Sequence, residues 1–218
     1  MVAPFLDSPT KDAGHPLGIF ALATVSIADY DVASAAVPSD SAAMAKLATP
    51  ANEELTAELD GATEWLGLPA GEILLAALTR TIARTLGEGI VAVDVASGRG
   101  PLLDAVPLAC ATSHQMNATE VLAGVHRALA AACESVASDP SEVYFNFIGE
   151  VPAGPEPVQE TPPALGHLLE VRMYRADGDI HIDWWYDTGR FASHTIAELC
   201  EQFPLALYEM TSDALPPF

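Results

Sequence analysis

Proton transfer near neutral pH falls first to histidine, whose ordinary pKa lies closest to about 7. The chain carries six histidines, and no two are adjacent. His15 sits in a Gly14-His15-Pro16 loop context and His114 in an irregular stretch. His126 and His194 fall on predicted helices, His167 follows a loop glycine, and His181 lies on a predicted strand opposite its apolar face. Spacing assigns none of them a nucleophile or a carboxylate partner. Ser113-His114 lacks the G-x-S-x-G frame of a nucleophile elbow.

Three other residues are candidates for catalysis: Asn146, Arg99 and Asp94. Asp94 lies inside an apolar run, so it either faces a cleft or is buried against a partner, because buried acids must be paired. Arg99, five positions on, is the expected partner. Asn146, among Tyr144, Phe145 and Phe147, can hydrogen-bond within a sheet. The three cysteines, Cys110, Cys133 and Cys200, form no Cys-x-x-Cys pair, so neither a zinc site nor a disulfide framework is implied. Cys133 and Cys200 are expected on apolar helix faces, as small hydrophobes. No metal and no cofactor is expected.

Trp184 and Trp185 are adjacent on a predicted strand and so point to opposite faces. Both can be core. An exposed one would instead anchor an interface, since tryptophan dominates binding hot spots.

Thirty acidic residues against nine basic ones give a formal charge of −21. Such a field repels phosphate backbones and anionic membrane surfaces, which excludes nucleic acid and membrane insertion as expected partners. The first apolar stretch, Leu17–Ala28, is too short to span a bilayer, and a cytoplasmic protein is the expectation. Half of the 218 residues are apolar, enough to bury a sizeable core.

The elements that must position these residues are readable from hydrophobic period. Gly18–Ile27 and Ala42–Ala48 read as strands. Thr49-Pro50 followed by Glu53 and Glu54 predicts a helix start, with Leu55, Leu59, Ala62 and Leu66 on one face. A second helix is predicted over Ala70–Leu86, where Arg80 and Arg84 share a solvated face. Ile90–Ala96 reads as an interior strand. Asn117 and Glu120 resemble a capping box opening a helix that runs past Val136. Val143–Gly149 is a strand, and the five prolines between Glu150 and Gly166 predict a loop. Leu168–Arg175 and Ile180–Asp187 form a hairpin turning at Asp177-Gly178. The last helix covers Ser193–Met210 and contains Pro204. The order predicts an α/β fold: an α+β mixed sheet with packed helices.

Several of these segments, in this order, resemble the C-terminal half of the condensation and epimerization domains of nonribosomal peptide synthetases. Ile73-Leu-Leu-Ala-Ala-Leu-Thr-Arg80 resembles that family's "LLAALALALRR" helix. Val91–Ala96 and the glycines after it resemble "VDLEGHGRE", and Val143-Tyr-Phe-Asn-Phe-Ile-Gly149 resembles "VSFNYLGQ". The closing hairpin through Trp184 and Trp185, and its helix, complete the resemblance, from about Ala48 to Asp213. It implies one chloramphenicol acetyltransferase-like half-domain over residues 48–218, stand-alone and degenerate, behind an N-terminal extension (1–47).

The departures bear on function. The family's HHxxxDG motif is absent from the sequence. The acid of "EGHGRE" has no counterpart in Ala96-Ser97-Gly98-Arg99-Gly100, and the family's tyrosine after asparagine is Phe147, which carries no hydroxyl. Catalysis by this chain alone is not expected. The first expectation is a non-catalytic interaction or scaffold module linked to nonribosomal peptide or lipopeptide biosynthesis. Its partner would be an N-terminal half-domain, a synthetase, a carrier protein or a second copy in a homo-oligomer. The alternatives are half of a split condensation, epimerization or acyltransferase enzyme completed in trans, and a small-molecule binder reusing the half-fold.

Overall fold

A computed structural model describes residues 23–30, 44–97, 102–134, 139–151 and 166–216. Six strands form one sheet: β1 (Met44–Thr49), β2 (Gly89–Ser97), β3 (Leu103–Cys110), β4 (Val143–Glu150), β5 (Leu169–Ala176) and β6 (Asp179–Asp187). Their order is β1-β6-β5-β4-β2-β3. The β2/β4 and β4/β5 pairs are parallel and the other three antiparallel, so the sheet is mixed, as expected. Helices α1 (Glu53–Leu66), α2 (Ala70–Thr85), α3 (Ala118–Ala131) and α4 (Ser193–Ser212) complete the fold.

Strand alternation builds the core. Val91, Val93 and Val95, Val143 and Phe145, Leu169, Val171 and Met173, and Ile180, Ile182 and Trp184 all join the helix residues in one cluster. The helices therefore cover one face of the sheet, and the alternate residues of the same strands lie on the other. The β5–β6 turn places Asp177 and Gly178 at φ 53° and 93°, the left-handed pair that a tight hairpin requires.

Several local expectations are corrected. The cap of α1 is Asn52, whose side chain accepts from the Glu54 and Leu55 amides at 3.0 and 3.3 Å. Thr49 instead ends β1 and accepts from the Trp184 indole N–H at 2.9 Å. The capping box is present, with Asn117 and Glu120 exchanging bonds of 2.8 and 3.0 Å. Its helix stops at Ala131, short of Val136, so Cys133 is exposed beyond it and not on a helix face. Strand β3 was not expected, because Pro107 interrupts its pattern; it is an edge strand, where proline is tolerated. Of the expected first strand, Gly18–Leu22 lies outside the described residues. Thr24 makes an isolated bridge to Ile90. There the backbone passes so close to Gly89 (φ 155°) that a Cβ would overlap the Ala23 carbonyl.

Arg80 is the largest correction. It is wholly buried rather than solvated, because both faces of α2 are covered over Ile73–Ala83. Its guanidinium donates to the Ala111 and Met116 carbonyls and lies 3.2 Å from Glu209 on α4, which also pairs with Arg84. No single helix among the described residues is long and apolar enough to cross a membrane.

Candidate functional site

The sheet face opposite the helices carries the ionisable groups. Register aligns Asp94, Tyr144, Glu170, Trp185 and Lys46 in one row across β2, β4, β5, β6 and β1. The next row holds Asn146, Arg172 and Asp183 on β4, β5 and β6. An uncovered sheet face is ordinarily solvated. Here Glu170, Arg172 and Asp183 are only 1, 2 and 4% exposed.

Burial of charge demands pairing. Arg172 meets Glu170 at 3.0 Å, and Lys46 meets Asp183 at 2.9 Å. The Trp185 ring lies between the two cations, 5.5 Å from the Lys46 ammonium and 5.8 Å from the Arg172 guanidinium. Burial pushes the Glu170 carboxyl up to about 7, and the Arg172 charge opposes the rise without cancelling it. The Tyr144 hydroxyl is also raised by burial, against a hydrogen bond from Asn146.

At the end of this row, Asp94 binds His167 Nε2 at 2.7 Å. The same carboxylate accepts from the Ser141 amide at 3.0 Å and the Ala105 amide at 3.2 Å. Burial would raise its pKa, but these hydrogen bonds outweigh burial and hold it below the usual value. Asp94 sits at a β-bulge, where register shifts between Val93 and Val95, and Ala105 opposite it takes φ 47°. One side chain thus ties β2 to β3 and to the residues leading into β4 and β5. The His167 ring packs on Tyr144, centroids 5.0 Å apart.

Three of the buried polar atoms that lack a hydrogen-bond partner belong to this face: Asn146 Oδ1, His167 Nδ1 and Trp185 Nε1. Such atoms are rare and call for an explanation.

A second feature lies on the helix side, at the carboxyl ends of the parallel strands β2 and β4. A cavity of about 390 Å³ is walled by Leu75, Val95, Leu103, Leu129, Phe145 and Phe147. Ala70, Gly71 and Glu72, the start of α2, form one side of it. Glu72 binds His126 of α3 at 2.9 Å.

Of the residues singled out from sequence, Asp94 and Asn146 lie on the polar face, in neighbouring rows. Arg99 lies outside the described residues, and the observed partner of Asp94 is His167. Trp184 is core and Trp185 is 8% exposed, so neither is an exposed anchor; the exposed tryptophan is Trp65 on α1, at 62%. His114 and His194 are exposed, His181 stacks on Tyr174 at 5.2 Å, and His15 is outside the described residues. Burial pushes the thiols of Cys110 and Cys200 up to about 12 and about 11, so both remain protonated. Glu170, Arg172 and Asp183 escaped the sequence reading because strand alternation identifies the second face without telling whether it is wet. No group of three or more metal-ligating side chains occurs among the described residues.

No family model matches the sequence. The chain is 34% identical over 223 aligned positions to a subunit of the phenolphthiocerol/phthiocerol polyketide synthase of Mycobacterium tuberculosis and Mycobacterium bovis. The match covers 79% of this chain and only 15% of those relatives. Among solved structures, it is similar to the epimerization domain from the third module of tyrocidine synthetase B, with TM-score 0.61 and 14% identity over 79% of this chain and 49% of that one. The condensation domain of Monacolin K polyketide synthase matches with TM-score 0.60 and 11% identity, over 94% of this chain and 56% of that one. The X-domain from teicoplanin biosynthesis, solved in complex with OxyB, matches with TM-score 0.60 and 18% identity, over 79% of this chain and 46% of that one. The fold is therefore that of condensation and epimerization domains, and the chain spans about half of such a structure.

Proposed function

We propose that the chain is a condensation-type half-domain of a polyketide or nonribosomal peptide assembly line, acting as a non-catalytic interaction module whose polar sheet face receives a protein partner. The observation that carries this reading is the set of three unpartnered buried atoms on that face, Asn146 Oδ1, His167 Nδ1 and Trp185 Nε1. All three are shielded from solvent in the isolated chain, so a second surface satisfies them by displacing the side chains that cover them. Two further facts support it: the chain matches about half of a two-halved domain, and a neighbour of the same fold was solved in complex with OxyB. The partner is the complementary half-domain or a carrier-bearing synthetase. Light scattering after size exclusion, alone and mixed with each, tests it. The expected result is a stoichiometric complex that shifts Trp185 emission; a chain that stays monomeric with every candidate overturns the reading.

A second reading, half of a split acyl-transfer enzyme, is favoured by one observation: the face does hold proton-handling groups. Asp94 orients His167, and Glu170 is poised near neutrality. Activity appearing only on mixing the two halves, and lost in His167→Gln with complex formation intact, separates this reading from the first.

A further inference from the structure

Helix α1 packs Leu55, Leu59, Ala62 and Leu66 into the core and turns its opposite face outward, across the sheet from the polar rows. At about 3.6 residues per turn, that outward face is centred on Glu54, Gly61 and Trp65, flanked by Ala57, Glu58 and Glu64. Trp65 is 62% exposed, which forgoes the burial an aromatic ring of its size ordinarily supplies. A Cβ added at Gly61 would meet nothing within 4 Å, so the turn before Trp65 is a low place open to solvent. On α4, Tyr208 borders Glu54 and Glu58, and Leu205, one turn before it, is 55% exposed. The charge on this face works against the helix that carries it. α1 holds five acids and no base. Glu54 and Glu58 are four apart, where like charges repel along a helix. Glu64 stands in the last turn, at the negative end of the helix dipole, with no base beside it. Asp60 is engaged by Arg175, whereas Glu54, Glu58 and Glu64 meet no base among the described residues.

We propose that the outward face of α1 is a docking site for a lysine- or arginine-bearing helix of a partner protein, with Trp65 as its anchor. Glu54, Glu58 and Glu64 are spread along about 15 Å of helix, where bases on successive turns of a facing helix meet them. Trp65 supplies apolar area and a ring face for a cation, and the low turn at Gly61 lets the facing helix approach. A cationic partner also relieves the like-charge and dipole conflicts that α1 carries alone. A second copy of the chain does not fit. Among the described helices the lysines and arginines are Arg80 and Arg84, both tied to Glu209, and Arg127 alone on α3.

The test is titration of the chain with a labelled amphipathic helix of about 15 residues bearing one lysine per turn, and with its glutamate-for-lysine counterpart, at about 0.15 M salt. The lysine helix binds one to one and more weakly as salt rises, and the glutamate helix does not bind. Trp65→Ala and Glu58→Lys each weaken binding about tenfold or more. Glu134→Lys, the same charge change beyond the end of α3, leaves it within about twofold. Absence of saturable binding, or undiminished binding by a folded Trp65→Ala or Glu58→Lys, overturns the proposal. Equal loss in Glu134→Lys overturns it too, by reducing the effect to diffuse attraction towards an acidic protein. Self-association of the chain alone that Trp65→Ala abolishes assigns the face to a second copy and overturns the basic partner. Circular dichroism confirms that the variants fold, and if one does not, the other decides. Polar-face docking is read through Trp185 with a different partner surface, so either proposal can fail while the other stands.

Discussion

His167 Nε2 lies 2.7 Å from Asp94 Oδ2, and the same carboxylate oxygen also accepts from the backbone amide of Ser141. Seventy-three residues separate the two side chains in sequence. The pair joins the middle of β2 to the residue leading into β5.

The Asp94 carboxylate is expected to be a stability determinant. Removing one member of a buried pair typically costs about 3–5 kcal/mol, because the other is left unsatisfied. Asp94→Ala should lose stability of that order in urea unfolding, and Asp94→Asn less, since an amide oxygen can still accept. The wild-type carboxyl has a folded pKa below its unfolded value of 3.8. Its contribution is therefore present above that value and lost as pH falls through the folded pKa. A wild type no more sensitive to acid below about pH 4 than Asp94→Asn would contradict the assignment.

Glu170 has the opposite sign. Its folded pKa of about 7 exceeds the unfolded 4.5, so the native state holds the proton more tightly. Stability is then highest below the unfolded value and declines as pH rises through about 7, on the order of 3 kcal/mol in all. Burial raises the value and the Arg172 charge on the same strand holds it from rising further. Glu170→Gln should flatten the pH profile of the melting temperature between about 5 and 7. A mutant profile that still declines there would place the titration elsewhere.

How far the sequence discloses this depends on range. The α1 stripe, the Asn117–Glu120 box and the Asp177-Gly178 turn are written in residues within about one turn of each other, and the structure repeats them. Asp94 shows the limit. Its isolation in an apolar run signals a buried partner, but His167, which the fold brings to it across two strands, is 73 residues away and out of reach of any local pattern. Arg80 fails for the same reason. Position on a helix wheel assigns it a face, and only the packing of α3 and α4 reveals that no face of α2 meets water over Ile73–Ala83.

Arg80 supplies the third prediction. Its charge is buried between two carbonyls and Glu209, and burial lowers its pKa against the pull of that glutamate. Arg80→Ala leaves both carbonyls without their donor and Glu209 with Arg84 as its one remaining basic partner among the described residues, and should destabilise by about 3 kcal/mol or more. Arg80→Met keeps the packed stem and isolates the polar part of that loss. Equal denaturation midpoints for Met and wild type would reduce Arg80 to a filler.

Trp185 separates stability from docking. Its indole N–H is buried with no acceptor, so it carries a desolvation penalty in the isolated chain. Trp185→Phe removes that donor and keeps an aromatic face between Lys46 and Arg172, although a smaller ring loses part of the cation–π attraction. The isolated variant should be as stable as wild type or more so, by up to about 1 kcal/mol. Partner binding should move the other way, since the hydrogen bond that the second surface would accept is gone. Paired measurements of urea midpoint and complex affinity check it. Stability and affinity falling together would mean that Trp185 is a packing residue and that the unpartnered atoms are not awaiting a second surface.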